Sequence, residues 1–183
     1  MSNVMDKKDK IIEVAMQLFA EHGFEKTPIS TICEHAEISK GLVFHHFKNK
    51  NELLRAVFTH MTDIINGVDQ QDEHLASSEG RLEAMIDSIF EGMMIEQHRK
   101  MYQLNFSVMV HPTTRKIVLD LIEERYQGLQ ASTEEVFRSL SHPNPSVVTR
   151  MFIAEIDGIA MNYLLNVDFP IEEIKQEFTN KYC

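Results

Sequence analysis

The sequence has few of the residues that interrupt helices or cross-link a chain. Its 183 residues include seven glycines and five prolines, and no stretch alternates apolar and polar residues for long enough to predict a β-strand. The two cysteines, Cys33 and Cys183, are far apart and lack metal-ligand spacing, which argues against a disulfide framework and a zinc site. These absences favour an all-α protein in a reducing compartment.

Long apolar runs are also missing. No segment approaches the roughly 18 apolar residues that a membrane-spanning helix needs. The first ten residues, MSNVMDKKDK, lack the apolar core of a signal peptide. We therefore expect a cytoplasmic protein with no membrane partner, and 43% hydrophobic residues are enough to form a core.

Patterns typical of enzymes are absent too. The nine histidines invite a metal or general-base hypothesis, but His45 and His46 are adjacent rather than one helical turn apart. No HExxH motif, glycine-rich phosphate loop or nucleophile elbow occurs. We predict neither an enzyme nor a cofactor.

The net charge of −10 seems to exclude a nucleic-acid partner, but the charges are unevenly distributed. Residues 1–55 contain eight Lys or Arg and eight Asp or Glu, so the rest of the chain carries the whole net charge. Lys40, Lys48, Lys50 and Arg55 cluster and are opposed only by Glu52. Such a basic edge is what contact with phosphates requires.

Apolar residues recur at helical spacing along the chain. The first helix is predicted over Lys7–His22 and ends at Gly23. Further helices are predicted from Asn49, where Glu52 completes a capping box, from Leu82 to about His98, over 101–110, from Pro112 to about Leu140, over 147–165 and after Pro170.

Residues 27–50, TPISTICEHAEISKGLVFHHFKNK, contain two short helical patterns separated by a tight polar turn. Thr27 is a candidate cap of the first helix, with Pro28 in its first turn. Ser39 is a candidate cap of the second helix, which ends in aromatic residues such as Phe47. Two short helices followed by lysines are typical of a helix-turn-helix that reads DNA.

This part of the sequence resembles the N-terminal domain of the TetR family of bacterial transcriptional regulators, over about residues 7–61 and without a gap. A shorter similarity covers residues 155–160, in what is the penultimate helix of the family. The resemblance rests on Gly23, Thr27, Ile32, Ala36, Ile38, Ser39, Lys40, Gly41, Phe44, His46, Phe47, Lys48, Lys50, Leu53 and Leu54.

The resemblance implies about nine helices in two domains. Residues 1–50 are expected to form a three-helix bundle that contains the helix-turn-helix. Residues 51–183 are expected to form a larger helical domain for effector binding and dimerisation.

Three residues depart from the usual pattern of the family. Glu37 stands where glycine is usual, Leu42 where threonine is frequent and Phe44 where tyrosine is usual. The tyrosine hydroxyl of relatives typically meets a phosphate, and Phe44 cannot make that bond. Leu42 cannot donate a hydrogen bond but can touch a thymine methyl. The base preference is therefore not inherited from relatives.

We expect the helix over 39–47 to enter the major groove of double-stranded DNA while flanking residues hold phosphates. The alternative is a generic three-helix bundle whose histidines are ordinary surface residues. The candidate DNA-binding residues are Thr27, Ser39, Lys40, Gly41, Leu42, Phe44, His45, His46, Lys48 and Lys50.

One such unit offers few contacts, so a homodimer on two half-sites is expected. Small residues at spacings of three and four would let two helices approach closely. The alternative is that the same residues close the core of a single chain. The candidate interface residues are Ala154, Asp157, Gly158, Met161, Ile171, Ile174 and Phe178.

A regulator of this kind is expected to be a repressor that binds a palindromic operator and is released by a small, largely apolar effector. Methionine-rich walls suit such a ligand, although a methionine or phenylalanine stripe also fits plain core. The candidate pocket residues are Met93, Gln97, His98, Met101, Tyr102, Asn105, Phe106, Phe152, Glu155 and Asn162. The alternative function is a helical interaction module that no longer reads DNA.

Overall fold

A computed structural model describes residues 6–69 and 78–183. Within these residues the chain is helical without strands, and the prediction of an all-α fold with about nine helices is confirmed. The helices are α1 Lys7–His22, α2 Ile29–Ala36, α3 Lys40–His46, α4 Lys50–Asp69, α5 Ser78–Met94, α6 Glu96–Val110, α7 Pro112–Ser139, α8 Pro145–Leu165 and α9 Ile171–Tyr182. None of the helices in the described part is long and apolar enough to cross a membrane.

The helix limits agree with the sequence where caps are strong. The predicted bounds of α1 are those observed. The prediction of one helix from Leu82 to about His98 is wrong, because α5 ends at Met94 and α6 begins at Glu96. The His98 amide donates to the Ile95 carbonyl at 2.9 Å, and this turn closes the break. Neither glycine nor proline marks the break, so the sequence gives no local signal for it.

The described residues fall into two compact units. The first consists of the described chain up to Asp63 together with Lys100–Ile122. In it α1, α2 and α3 pack against one another as the predicted three-helix bundle. The fully buried side chains at the centre of this unit include Ile11, Phe19, Ile32, Leu53, Leu54 and Phe58.

The second unit consists of the described parts of Ile64–Arg99 together with Glu123–Cys183. Its core is rich in phenylalanine: Phe90, Phe137, Phe152 and Phe178 come from four different helices. The Phe152 and Phe178 ring centroids are 5.1 Å apart. Aromatic side chains of this size bury much apolar area, so this cluster fixes α8 and α9 against each other.

The limits of the compact units fall inside α4, α6 and α7. The division into a DNA-binding domain of residues 1–50 and an effector-binding and dimerisation domain of residues 51–183 is one of function, and it stays a prediction.

Candidate nucleic-acid interface

The turn from α1 to α2 fixes the first helix of the helix-turn-helix. Gly23 has φ +83°, and its amide donates to the Phe19 carbonyl at 2.9 Å, as expected for a glycine at a helix end. The Thr27 hydroxyl is buried and donates to the carbonyls of Leu18, at 3.2 Å, and Gly23, at 2.8 Å.

Thr27 therefore acts on the end of α1. The prediction that it caps α2 is wrong, because Pro28 occupies the capping position and α2 begins at Ile29. A phosphate contact by Thr27 stays a prediction, but its hydroxyl already has two partners inside the fold.

The turn between α2 and α3 contains a strained residue. Glu37 has φ 55° and ψ 44°, the left-handed conformation that glycine adopts most easily. The Glu37 and Ile38 amides donate to the Glu34 and Cys33 carbonyls, at 3.2 and 3.0 Å, and these bonds hold the conformation in place. This geometry explains why glycine would be favoured at the position.

Replacing Glu37 by glycine is expected to stabilise the protein. Glu37→Gly should raise the free energy of unfolding by about 1 kcal/mol over Glu37→Gln, because both remove the charge and only glycine relieves the left-handed strain. The Glu37 carboxylate is 3.8 Å from Lys10 Nζ, an exposed pair that contributes little. Denaturant unfolding of the two variants measures the difference, and equal stabilities would show that Glu37 is unstrained.

Helix α3 begins as the sequence predicts. Its first turn is capped by Ser39, whose Oγ accepts from the Leu42 amide at 3.2 Å. Val43 and Phe47 are both buried in the core. These two anchors fix which side of α3 faces outward.

The outward side of α3 collects several predicted DNA-binding residues. Lys40, Gly41, Phe44 and His45 are all exposed and recur at helical spacing. Lys48 follows immediately after the helix, with its side chain 85% exposed. We call these five residues the α3 face.

Three other candidates contribute less surface. Leu42 and His46 are half-buried at the sides of α3, and the His45 and His46 ring centroids are 5.2 Å apart. Ser39 is exposed, but its hydroxyl is used in the cap. These positions leave the α3 face as the main accessible surface of the helix.

Lys50 points away from this surface. Its Nζ donates to the Glu25 carbonyl at 3.3 Å and lies 4.4 Å from the centroid of the Phe24 ring. Partial burial lowers the pKa of Lys50. Lys50 therefore joins the start of α4 to the turn after α1.

Arg55 is also used inside the first unit. Its guanidinium donates to both Asp120 carboxylate oxygens, at 2.6 and 2.7 Å, and to the Ile117 carbonyl at 2.8 Å. This fork lowers the pKa of Asp120 to about 2. Of the basic cluster seen in the sequence, only Lys40 and Lys48 belong to the α3 face.

The start of α4 matches half of the predicted capping box. Asn49 Oδ1 accepts from the Glu52 amide at 3.0 Å, as predicted. The Glu52 carboxylate accepts instead from the Lys48 amide at 2.9 Å, and it lies 3.6 Å from Lys48 Nζ. The lysine is thereby held near the end of α3.

Comparison with known proteins agrees with this geometry. Residues 11–57 match the sequence model described as bacterial regulatory proteins, tetR family. The HTH-type transcriptional activator FasR of Mycolicibacterium smegmatis is 24% identical over 176 residues, which cover 92% of this chain and 76% of FasR. The crystal structure of a TetR-family transcriptional regulator from Streptomyces coelicolor has a TM-score of 0.75 at 17% identity, over 95% of this chain and 90% of that one.

Residues 11–57 therefore resemble the N-terminal region of TetR-family regulators, and the chain has the fold of the TetR-family structures that it matches. A regulator from Saccharomonospora viridis, crystallised in complex with choline, has a TM-score of 0.75 at 16% identity, over 94% of this chain and 93% of that one. The chain spans between 38% and 62% of the length of four other relatives. The relatives are transcriptional regulators, not enzymes.

The residues predicted for a dimer interface are divided between surface and core. Ala154, Gly158 and Met161 are exposed on α8. Ile171 and Phe178 are buried in the core of their own unit, the alternative that the sequence left open.

The two remaining candidates for the interface are partly buried. Ile174 packs against the rim of the same core. Asp157 is half-buried and accepts a hydrogen bond from the Tyr126 hydroxyl at 2.7 Å. Burial, together with Asp157, raises the pKa of Tyr126 to about 12.

Sequence reasoning missed half of an apolar stripe along α8. Val147, Met151 and Leu165 are 58%, 50% and 75% exposed. Their positions extend the spacing of the three exposed candidates, with alternating steps of four and three residues, which is the signal that could have found them. The α8 stripe consists of Val147, Met151, Ala154, Gly158, Met161 and Leu165.

The predicted effector residues lie in both compact units. Met93, His98, Phe152, Glu155 and Asn162 belong to the second unit; Met101, Tyr102, Asn105 and Phe106 belong to the first, and the side chain of Gln97 lies outside the described part. Phe152 is part of the aromatic core, and Asn162 is exposed and donates to the Gly158 carbonyl at 2.8 Å. Glu155 pairs with Lys181. The effector site stays a prediction.

Proposed function

We propose that this TetR-family protein is a transcriptional regulator that binds a palindromic operator as a homodimer and is released by a small molecule. The observation that carries the proposal is the α3 face: two cations, a glycine and an apolar ring on the outward side of a helix that is anchored from behind. An α-helix with such a side fits the major groove of B-DNA.

Gly41 supports direct contact between α3 and the bases. A Cβ at this position would meet only Ser39 Oγ, at 3.9 Å, so nothing in the chain itself requires glycine there. A missing side chain lets the backbone approach an external partner closely. In this proposal Lys40 and His45 reach base edges, and Lys48 contacts a phosphate.

The overall acidity does not oppose this proposal. Exposed charges more than a Debye length apart, about 8 Å at physiological salt, are largely screened from each other. The acidic excess lies beyond residue 55, whereas Lys40 and Lys48 belong to the α3 face. The local charge at the groove is therefore positive.

The α8 stripe supports the homodimer. Its six residues present an apolar seam along the length of the helix, a feature that marks interaction sites on soluble proteins. A Cβ on Gly158 would meet nothing within 4 Å, so its glycine is explained by the close approach of another helix rather than by its own chain. We propose that two α8 stripes pack together around a two-fold axis.

Helix α9 is proposed to extend this interface. A groove of about 320 Å³ is lined by Glu155 of α8, by Pro170 and by residues of α9, with Ile174 and Phe178 among its apolar members. Phe178 then supports the interface from below, while Ile174 contributes partly exposed area. The predicted set is thereby divided into contacting and supporting residues.

Release by an effector requires a ligand that binds one dimer geometry more tightly than another. We propose a small, largely apolar molecule contacting the mixed polar and apolar residues of α6 that belong to the first unit, such as Tyr102, Asn105 and Phe106. The choline complex of the Saccharomonospora viridis regulator supports the general idea of a small organic ligand. Repression is the simplest sign of regulation, because a bound dimer blocks a promoter.

Selection from a random duplex pool tests the proposal. The full chain should enrich an inverted repeat whose half-site centres are about 10 base pairs, or a multiple of one helical turn, apart. Binding of the selected duplex should weaken steeply as salt is added, since phosphate contacts release counterions. A folded, dimeric protein that enriches no sequence would contradict DNA reading and favour the helical interaction module.

A further inference from the structure

Phe44 is an unusual residue to expose on a surface of this kind. Its side chain is 44% exposed on α3, while its neighbours Val43 and Phe47 are buried on the other side of the helix. It lies one helical turn after Lys40 and next to His45. The fold does not need this ring for its core, so its apolar area is available to a partner.

We infer that Phe44 reads thymine by packing its ring against the C5-methyl group in each half-site. The inference rests on the proposed DNA binding and adds a base preference to it. In the major groove, base edges present hydrogen-bond donors, hydrogen-bond acceptors and one apolar group, the thymine methyl. A phenyl ring can neither donate nor accept a conventional hydrogen bond. The favourable contact for the ring in the groove is therefore with the thymine methyl, because both groups are apolar and are removed from water together.

Lys40 lies beside the Phe44 ring that makes this contact. Its Nζ is 5.8 Å from the centroid of the Phe44 ring, within the range of a cation–π interaction. The ring and the ammonium group are therefore presented together, one turn apart on the helix. The cation fits an acceptor beside the methyl, such as guanine O6 and N7 of a neighbouring base pair.

The position of Phe44 distinguishes it from the two other apolar residues of α3, of which Val43 is buried. Leu42 is half-buried at the side of the helix and lies outside the α3 face. Leu119 is the matched control, since it is an exposed apolar residue of α7 outside the helix-turn-helix, and its truncation should leave the thymine preference that Phe44 creates unchanged.

Uracil substitution tests the inference, because uracil differs from thymine only by the missing methyl. Each thymine of the selected duplex is replaced by uracil in turn, and binding of the full chain is measured at fixed salt. We expect one position in each half-site at which the change weakens binding about 4-fold, and about 15-fold when both half-sites carry it, as removal of one buried methyl predicts.

Variants assign the effect to one side chain. Phe44→Ala should bind the thymine and uracil duplexes equally at that position, Phe44→Leu should keep part of the preference, and Leu119→Ala should keep all of it. Melting curves check that each variant is folded, which is expected for Phe44→Ala because the ring is exposed.

The possible failures are distinguishable. Binding that is indifferent to uracil at every position, or a uracil effect that persists in Phe44→Ala, would overturn the inference and leave the DNA-binding proposal intact. A chain that binds no selected duplex would overturn both.

Discussion

A glutamate in place of Met151 is expected to convert the protein into monomers and to weaken its binding to a two-half-site operator by at least about 100-fold. Met151 lies within the α8 stripe and is half exposed, so the substitution leaves the core of a single chain unchanged. In a two-fold interface each substitution occurs twice, and it places two like charges in an apolar contact. Burying an unpaired charge costs several kcal/mol, enough to dissociate most dimers.

Loss of the dimer is expected to reduce operator binding because the second half-site is then no longer bound at a high effective concentration. Sedimentation measures the oligomeric state, and titration of the selected duplex measures the affinity. Val110→Glu is the matched control, since Val110 is an exposed apolar residue of α6 that is not part of the stripe. A Met151→Glu protein that remains dimeric would show that α8 is not the contact.

Reversing the charge of Lys48 is expected to weaken operator binding by about 100-fold at moderate salt. Each subunit loses a phosphate contact and gains a repulsive carboxylate, and the effect is doubled in a dimer. Lys48 is well placed for this role because its side chain is 85% exposed and its only ion-pair partner in the described structure is the neighbouring Glu52. The slope of log affinity against log salt should become shallower by about two, one for each lost phosphate contact.

Arg115→Glu controls for the change in total charge. Arg115 is an exposed cation on α7, outside the helix-turn-helix, and its reversal changes the net charge by the same amount. We expect it to alter affinity only a few-fold, through long-range attraction that salt screens. Equal losses in the two variants would show that Lys48 contributes only to the general field of the protein.

Signals confined to a few neighbouring residues were read correctly from the sequence. Gly23 ends α1 and Ser39 caps α3, because each acts on a helix end within four residues of itself. Phe47 is in the core because α3 is short and has only one apolar side. The helix-turn-helix over residues 27–50 could be predicted for the same reason, because its turn and capping signals also act over short distances along the chain.

Interactions between distant parts of the chain could not be predicted in the same way. Lys50 contacts Glu25, 25 residues earlier, and Arg55 contacts Asp120, 65 residues later. In the sequence, Lys50 and Arg55 both belonged to the predicted basic edge. Counting charges along a sequence does not show which cations have a partner inside the fold. Ile171 and Phe178 are similar, because an apolar spacing fits a core and an interface equally well.

The pairing of the Asp120 carboxylate with Arg55 limits how far a change of pH can alter this part of the protein. Because the pKa of Asp120 falls from its ordinary value of 3.8 to about 2, the stabilisation from this pair is complete above about pH 4 and is lost only as pH falls toward 2. The Asp120 carboxylate therefore stays charged at neutral and mildly acidic pH, so acidification in that range does not break this contact between α4 and α7. Two other changes can break the contact between Arg55 and Asp120. One is a displacement of α7, and the other is a high salt concentration, which weakens an ion pair that is exposed to water.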